Sequence, residues 1–106
     1  MDTANVIGMF LMQEGYGVRC VESRDHALVV LQAYLYDVII MDFFMPGMGA
    51  AEFVTESRRR CPRSKFLLIT ATNIAAEQAA KIGINEFLGK PFKPEELLPI
   101  IRRCHG

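Results

Sequence analysis

Two unbroken apolar runs constrain the fold of this chain more than any other feature. They are Val38-Ile39-Ile40-Met41 and Phe66-Leu67-Leu68-Ile69. A strand with one face in water alternates apolar and polar residues, and neither run alternates, which is typical of strands buried on both faces. Helices bury both faces of a sheet when its strands run parallel. The runs therefore predict a parallel sheet inside an α/β domain.

Helical and strand-like segments alternate around these two runs. Apolar spacing, glycines and prolines predict helices over residues 3–14, 24–36, 50–60 and 75–82, and a last helix that begins near Pro94 and is kinked at Pro99. Residues 18–21 and 86–88 are two further short strands, which makes about four. Ser23 is the predicted N-cap of the second helix. The alternation predicts one doubly wound α/β domain over residues 1–106.

The composition excludes several classes of protein. Twelve Lys and Arg balance twelve Asp and Glu, which argues against direct nucleic-acid binding and gives no excess charge for an anionic membrane surface. No apolar run approaches the ~20 residues that span a bilayer. Cys20, Cys61 and Cys104 have no metal-ligand spacing, so we expect reduced thiols and a cytoplasmic location.

Three polar residues follow the predicted strands at the points where those strands end. They are Asp42, Thr70 and Lys90. The carboxyl ends of parallel strands meet at one edge of a sheet, and ligands bind there. A carboxylate at that edge can attack a phosphoryl group, and an ammonium and a hydroxyl can hold the phosphoryl oxygens. A divalent cation normally shields the incoming charge.

Sequence motifs surround each of these residues. They are Asp42-Phe43-Phe44-Met45-Pro46-Gly47-Met48, Leu68-Ile69-Thr70-Ala71 and Phe87-Leu88-Gly89-Lys90-Pro91-Phe92, with weaker matches at Glu14-Gly15-Tyr16-Gly17-Val18 and Pro94-Glu95-Glu96-Leu97. Thr70 follows Asp42 by 28 positions and Lys90 follows Thr70 by 20. Over nearly its whole length the chain resembles the CheY-like receiver domain of two-component response regulators. The resemblance implies the flavodoxin-like fold, a doubly wound parallel sheet with helices on both faces.

The resemblance also implies a role for each site residue. Asp42 would accept a phosphoryl group from a sensor histidine kinase or a phosphotransfer protein. Thr70 would bond that group and move when it arrives, and Lys90 would pair with one of its oxygens across a cis Lys90–Pro91 peptide bond. Phe87 stands where the family has its switch aromatic, although a buried core ring is the alternative. Asp42 and the backbone carbonyl of Phe44 would be Mg²⁺ ligands.

The implied output is a change of surface rather than catalysis. The face from the short helix after Thr70 through the last helix, which is helix 4, strand 5 and helix 5 of the family, would regulate a partner protein or a fused domain. The resemblance therefore implies a signalling module in a phosphorelay and not an enzyme.

One part of the family pattern is absent. Receivers hold Mg²⁺ with an acidic pair at the end of a first strand, and counting back from Glu14-Gly15-Tyr16 places that pair before Met1. Asp2 is not an obvious substitute. The missing strand would be central in the family's 2-1-3-4-5 order. We expect a fragment or misplaced start, a repacked four-stranded sheet, or a dimer or partner chain that supplies a strand.

Two other functions compete with a phosphorylated receiver. The absent acidic pair favours a pseudo-receiver, which keeps the fold as a phosphorylation-independent interaction module. Phosphatases of the haloacid dehalogenase type also place a nucleophilic Asp at a strand end. They carry a second Asp two positions later as a general acid. Phe44 occupies that position here and cannot transfer a proton, which disfavours this enzyme.

Overall fold

The computed structural model describes residues 3–105. Its helices are α1 (Thr3–Gln13), α2 (Arg24–Ala33), α3 (Ala50–Arg60), α4 (Ala75–Ile82) and α5 (Leu97–His105). Its strands are β1 (Val38–Asp42), β2 (Lys65–Ala71) and β3 (Glu86–Lys90). Short 3₁₀ turns precede α4 (Thr72–Ile74) and α5 (Pro94–Glu96). Both unbroken apolar runs of the sequence are strands.

The strands form one parallel sheet in the order β1-β2-β3. Met41 lies opposite Leu68, which in turn lies opposite Phe87. The predicted α/β class with a parallel sheet is therefore confirmed. The register also brings the carboxyl ends of the strands to the same edge of the sheet.

Strand β2 separates two hydrophobic cores, one on each face of the sheet. Its residues alternate, so that Phe66 and Leu68 belong to one core while Leu67 and Ile69 belong to the other. The first core takes side chains from α2, α3 and α4, and the second takes them from α1 and α5. This two-sided burial explains why the β2 sequence shows no polar alternation.

The prediction of a strand over residues 18–21 is wrong. None of these residues takes part in strand pairing. A strand needs the hydrogen-bonding edge of a neighbour, and the described sheet ends at β1, which pairs with β2. The sheet that the structure describes therefore has three strands rather than about four.

Several helix ends also differ from the prediction. The second helix stops at Ala33 rather than at residue 36, and Ser23 caps its start as predicted, since its side chain accepts a hydrogen bond from the His26 backbone N–H. The sequence predicted one helix from Pro94 with a kink at Pro99. Instead, a 3₁₀ turn ends at Glu96 and α5 begins at Leu97. Pro99 lies in the first turn of α5, where a backbone N–H has no intrahelical partner to lose.

The described residues 3–105 also bear on the predictions about membrane spans and cysteines. None of their helices is long and apolar enough to cross a bilayer. The thiols of Cys20, Cys61 and Cys104 are free. Cys61 is buried in the core beside α3, and burial raises the pKa of the Cys104 thiol above its ordinary value.

An ion pair joins the start of β3 to α5, and it predicts a pH-dependent stability. Arg103 donates hydrogen bonds to both Glu86 carboxylate oxygens, at 2.8 and 3.3 Å, which lowers the pKa of Glu86. A lowered pKa stabilises the fold above the unfolded value of about 4.3, and this contribution disappears as the pH falls through the folded value. We expect Glu86→Gln to lower the free energy of unfolding slightly at pH 7, because the pair is exposed.

Urea denaturation of the parent and Glu86→Gln at pH 7 and at pH 3 measures this effect. The difference between the two proteins should shrink at the lower pH. Combining Glu86→Gln with Arg103→Gln in a double-mutant cycle isolates the pair. A difference that is equal at both pH values would contradict the assignment.

Candidate functional site

Asp42 and Lys90 meet at the carboxyl edge of the sheet. The Lys90 Nζ atom lies 2.6 Å from Asp42 Oδ2, and both side chains are partly exposed. The other carboxylate oxygen, Oδ1, accepts a hydrogen bond of 3.1 Å from the Phe44 backbone N–H. The Lys90–Pro91 peptide bond is cis, as the resemblance implied. The structure thus holds the Asp42 carboxylate in place beside an ammonium group, and solvent can reach both groups.

Thr70 lies on the strand between these two residues. Asp42 is opposite Ile69 in the register, and Thr70 is opposite Gly89, the neighbour of Lys90. Thr70 is 1% exposed, and its Oγ1 atom has no hydrogen-bond partner among the described residues. A buried hydroxyl without a partner costs about 1–3 kcal/mol. A hydrogen-bond acceptor that arrives at this edge would therefore bond the Thr70 hydroxyl and remove this cost.

The site also depends on Arg24, which the sequence reasoning did not single out. Arg24 starts α2, is 4% exposed and directs its guanidinium group at the chain that follows β1. It donates to four backbone carbonyl groups, those of Asp42, Phe43, Met45 and Met48. Burial lowers the pKa of Arg24, and the negative charge of Asp42 acts in the opposite direction. The guanidinium group thus holds the end of β1, at Asp42, and the loop that follows it.

The next residue of α2 holds the same loop from a second side. Asp25 Oδ2 accepts a hydrogen bond of 3.0 Å from the Met48 backbone N–H. Gly47 has a φ of 106°, and a Cβ atom there would collide with Asp25 Oδ2. Glycine is therefore required for both the backbone conformation and the close approach. No motif signals the contacts of Arg24 and Asp25 with this loop, because they join residues 18 to 24 positions apart. A charged pair directly after a helix cap is the weak signal that could have found them.

Two phenylalanines near the site are exposed. Phe44 is 72% exposed and its ring packs edge-on against Phe43. Phe87 is 41% exposed on β3, so the alternative that it is a buried core ring is wrong.

The described residues provide an incomplete site for Mg²⁺. Asp42 offers one carboxylate, and the Phe44 carbonyl is a second oxygen on the same loop. Across residues 3–105 no three Asp, Glu, His or Cys side chains come together as a metal-binding group. Asp2 lies outside the described residues. Mg²⁺ keeps several waters and is usually bound through one or two carboxylates, and the described residues supply one carboxylate at this edge, that of Asp42.

Comparison with known proteins places this geometry in a family. The model of the family described as "Response regulator receiver domain" matches residues 2–102. The transcriptional regulatory protein TctD of Salmonella typhimurium is 35% identical over 102 residues, which cover 91% of this chain and 46% of TctD. The chain thus spans about half the length of this curated relative.

Solved structures show the same fold. The chemotaxis response regulator CheY4 of Vibrio cholerae superposes with a TM-score of 0.83 at 31% identity, covering 95% of this chain and 88% of CheY4. The receiver domain of the sensor histidine kinase PA1611 from Pseudomonas aeruginosa, solved with magnesium in its active-site cleft, gives 0.84 at 29% identity, covering 96% and 87%. The predicted CheY-like, flavodoxin-like fold is therefore confirmed.

The loop contacts of Arg24 predict a large cost for its removal. Arg24→Ala leaves four carbonyl groups without their charged donor, and we expect it to lower the free energy of unfolding by at least about 2 kcal/mol. Arg102→Ala, at an exposed position of α5, is the matched control and should change stability by less than about 0.5 kcal/mol. Urea denaturation of both variants measures the difference. Equal stabilities would mean that Arg24 does not hold the loop.

Proposed function

This chain belongs to the response regulator receiver domain family, and on that premise we propose that it accepts a phosphoryl group on Asp42. The donor is the phosphohistidine of a sensor histidine kinase or of a phosphotransfer protein. The observation that carries the proposal is the 2.6 Å contact between Lys90 Nζ and the Asp42 carboxylate at the sheet edge, beside the hydroxyl of Thr70, which is buried without a partner.

The chemistry is a direct transfer between the donor and the carboxylate. A carboxylate oxygen of Asp42 attacks phosphorus, the new O–P bond forms, and the P–N bond of the donor histidine breaks. The imidazole nitrogen keeps the electron pair of that bond and takes up a proton. Lys90 then faces a phosphoryl oxygen in place of the carboxylate oxygen, and its positive charge offsets the added negative charge.

Thr70 couples this event to the rest of the domain. A phosphoryl oxygen at the sheet edge offers the acceptor that the Thr70 hydroxyl lacks, so the hydroxyl turns toward it. On the neighbouring strand β3, the exposed ring of Phe87 then changes its packing. The surface formed by α4, β3 and α5 is altered, and this is the signal that a partner protein or a fused domain detects. Relatives of this family are transcriptional regulatory proteins.

Magnesium enters this proposal only by analogy with a solved neighbour, since the PA1611 receiver domain was crystallised with magnesium in its cleft. The family implies the same ion here, where it would shield charge during transfer. The described residues of this chain form an incomplete set of ligands, so none of the steps above depends on the metal.

A second candidate function is a pseudo-receiver that binds a partner without being phosphorylated. Two observations favour it. Both oxygens of Asp42 already accept hydrogen bonds within the chain, from Lys90 and from the Phe44 backbone. In addition, residues 3–105 contain no metal-binding group of three acidic, His or Cys side chains. In this alternative Lys90 is a permanent partner of Asp42 and not a phosphoryl ligand.

Intact-mass measurement after incubation with acetyl phosphate and Mg²⁺ separates the two candidates. We expect the parent chain to gain one phosphoryl group and Asp42→Asn to gain none, because an amide is not a nucleophile toward phosphorus. Asp37→Asn, at the residue just before β1, is the matched control, and it should gain phosphate as the parent does.

Each other outcome has a distinct meaning. Equal phosphorylation of Asp42→Asn and the parent would mean that the acceptor lies elsewhere. The absence of any gain by a folded parent chain would favour the pseudo-receiver. Circular dichroism of each protein shows whether it is folded under the conditions of the assay.

A further inference from the structure

The peptide group between Phe43 and Phe44 is held on both of its sides. Its carbonyl oxygen accepts a hydrogen bond of 2.5 Å from Arg24 Nη2, and its N–H donates to Asp42 Oδ1 over 3.1 Å. This peptide bond is trans. The carbonyl and the N–H of a planar trans peptide point in opposite directions. The guanidinium group and the carboxylate therefore lie on opposite sides of one rigid unit.

The contact between Asp42 and the Phe44 backbone is ordinary when taken alone. Aspartate side chains often accept a hydrogen bond from the backbone N–H two residues later. What distinguishes this site is the second side of the peptide group, where the donor is a buried and charged side chain from another element, α2. Donation by a charged group also polarises the peptide, which strengthens its N–H as a donor to the carboxylate.

Local stability does not explain the position of Arg24. It is the first residue of α2, where the helix dipole disfavours a cation. It is 4% exposed, and its Nε atom has no hydrogen-bond partner among the described residues. Burying a charge and leaving a buried donor unpaired both cost free energy. A residue that breaks several local rules at once is expected at a functional site.

We propose that Arg24 is a positioning residue for the Asp42 carboxylate. It holds the Phe43–Phe44 peptide group, and that group sets the direction in which Oδ1 faces. The other carboxylate oxygen bonds Lys90, whose side chain is partly exposed. Without the support of Arg24, the carboxylate would follow the motion of the Lys90 side chain.

The consequence for phosphoryl transfer rests on the function proposed above. A carboxylate held in one direction presents its attacking oxygen to phosphorus without a search through other orientations, which lowers the barrier. Arg24 donates to backbone carbonyl groups and not to the carboxylate. It therefore acts on the reaction through the Phe43–Phe44 peptide group.

Amide hydrogen exchange of the full chain tests the positioning directly. Arg24→Met removes the donors and keeps an apolar side chain of similar length, so the Phe44 amide should exchange about tenfold faster. Asp25→Ala is the matched control, because it removes the acceptor of the Met48 N–H and loosens the same loop at another point. It should speed exchange of the Met48 amide and change the Phe44 amide much less.

The reaction with acetyl phosphate tests the consequence. Arg24→Ala should slow phosphorylation about tenfold. Ethylguanidinium has the atoms that this substitution removes, and adding it should restore both the rate and the protection of the Phe44 amide. Ethylammonium is the matched ion. It carries the same charge without the two terminal nitrogens, and it should restore neither.

Two results would overturn the proposal. One is an unchanged Phe44 amide in Arg24→Met. The other is equal acceleration of that amide in Arg24→Met and Asp25→Ala, which would mean that Arg24 only stiffens the loop. If Arg24→Met does not fold, Arg24→Lys takes its place. One ammonium group cannot serve all four carbonyl groups, so the Phe44 amide should still exchange faster, and an unchanged amide there would overturn the proposal as well.

Failure of this inference can be told apart from failure of the proposed function. A parent chain that gains no phosphate but shows the expected exchange pattern would keep the role of Arg24 and remove the phosphorylation of Asp42. A parent and an Arg24→Ala variant that are phosphorylated on Asp42 at equal rates would do the reverse.

Discussion

The burial of both faces of β2 is the constraint on which the rest of the structure depends. Its alternate side chains reach opposite cores, so helices must cover the sheet on both sides. Covered faces leave the ends of the strands as the places where polar side chains can meet solvent. Thr70, near the end of β2, is accordingly a buried polar group at this edge, and Asp42 and Lys90 lie on the two neighbouring strands.

The loop that carries the site is stabilised from outside the sheet. Burying a guanidinium group is costly unless its donors are satisfied, and the two terminal nitrogens of Arg24 donate to backbone carbonyl groups rather than to a carboxylate, while its Nε has no partner among the described residues. Its charge is therefore not neutralised by a directly bonded acid and adds positive potential near Asp42. Asp42 thus contacts two cationic groups. Arg24 bonds its backbone carbonyl, and Lys90 bonds its carboxylate.

The sequence predicted the features that depend on local pattern. Apolar runs predicted β1 and β2, and the resemblance to receivers implied the cis bond after Lys90, which the structure contains. Features that depend on contacts between residues far apart in the sequence were not predictable. Residues 18–21 have strand composition but no edge to pair with, and Arg24 is recognisable as a site residue only once α2 has packed against the loop. The roles of Asp42, Thr70 and Lys90 in phosphoryl transfer stay predictions.

The exposed edge of β1 has a practical consequence for handling the protein. Val-Ile-Ile-Met is a β-prone, uncharged segment without proline, and such segments at a free sheet edge seed cross-β aggregation. Natural sheets usually protect an edge with an inward lysine, a proline or a bulge, and β1 contains none of these within its described residues. Aggregation should therefore increase as the protein concentration rises, and a charged residue placed on this edge would reduce it.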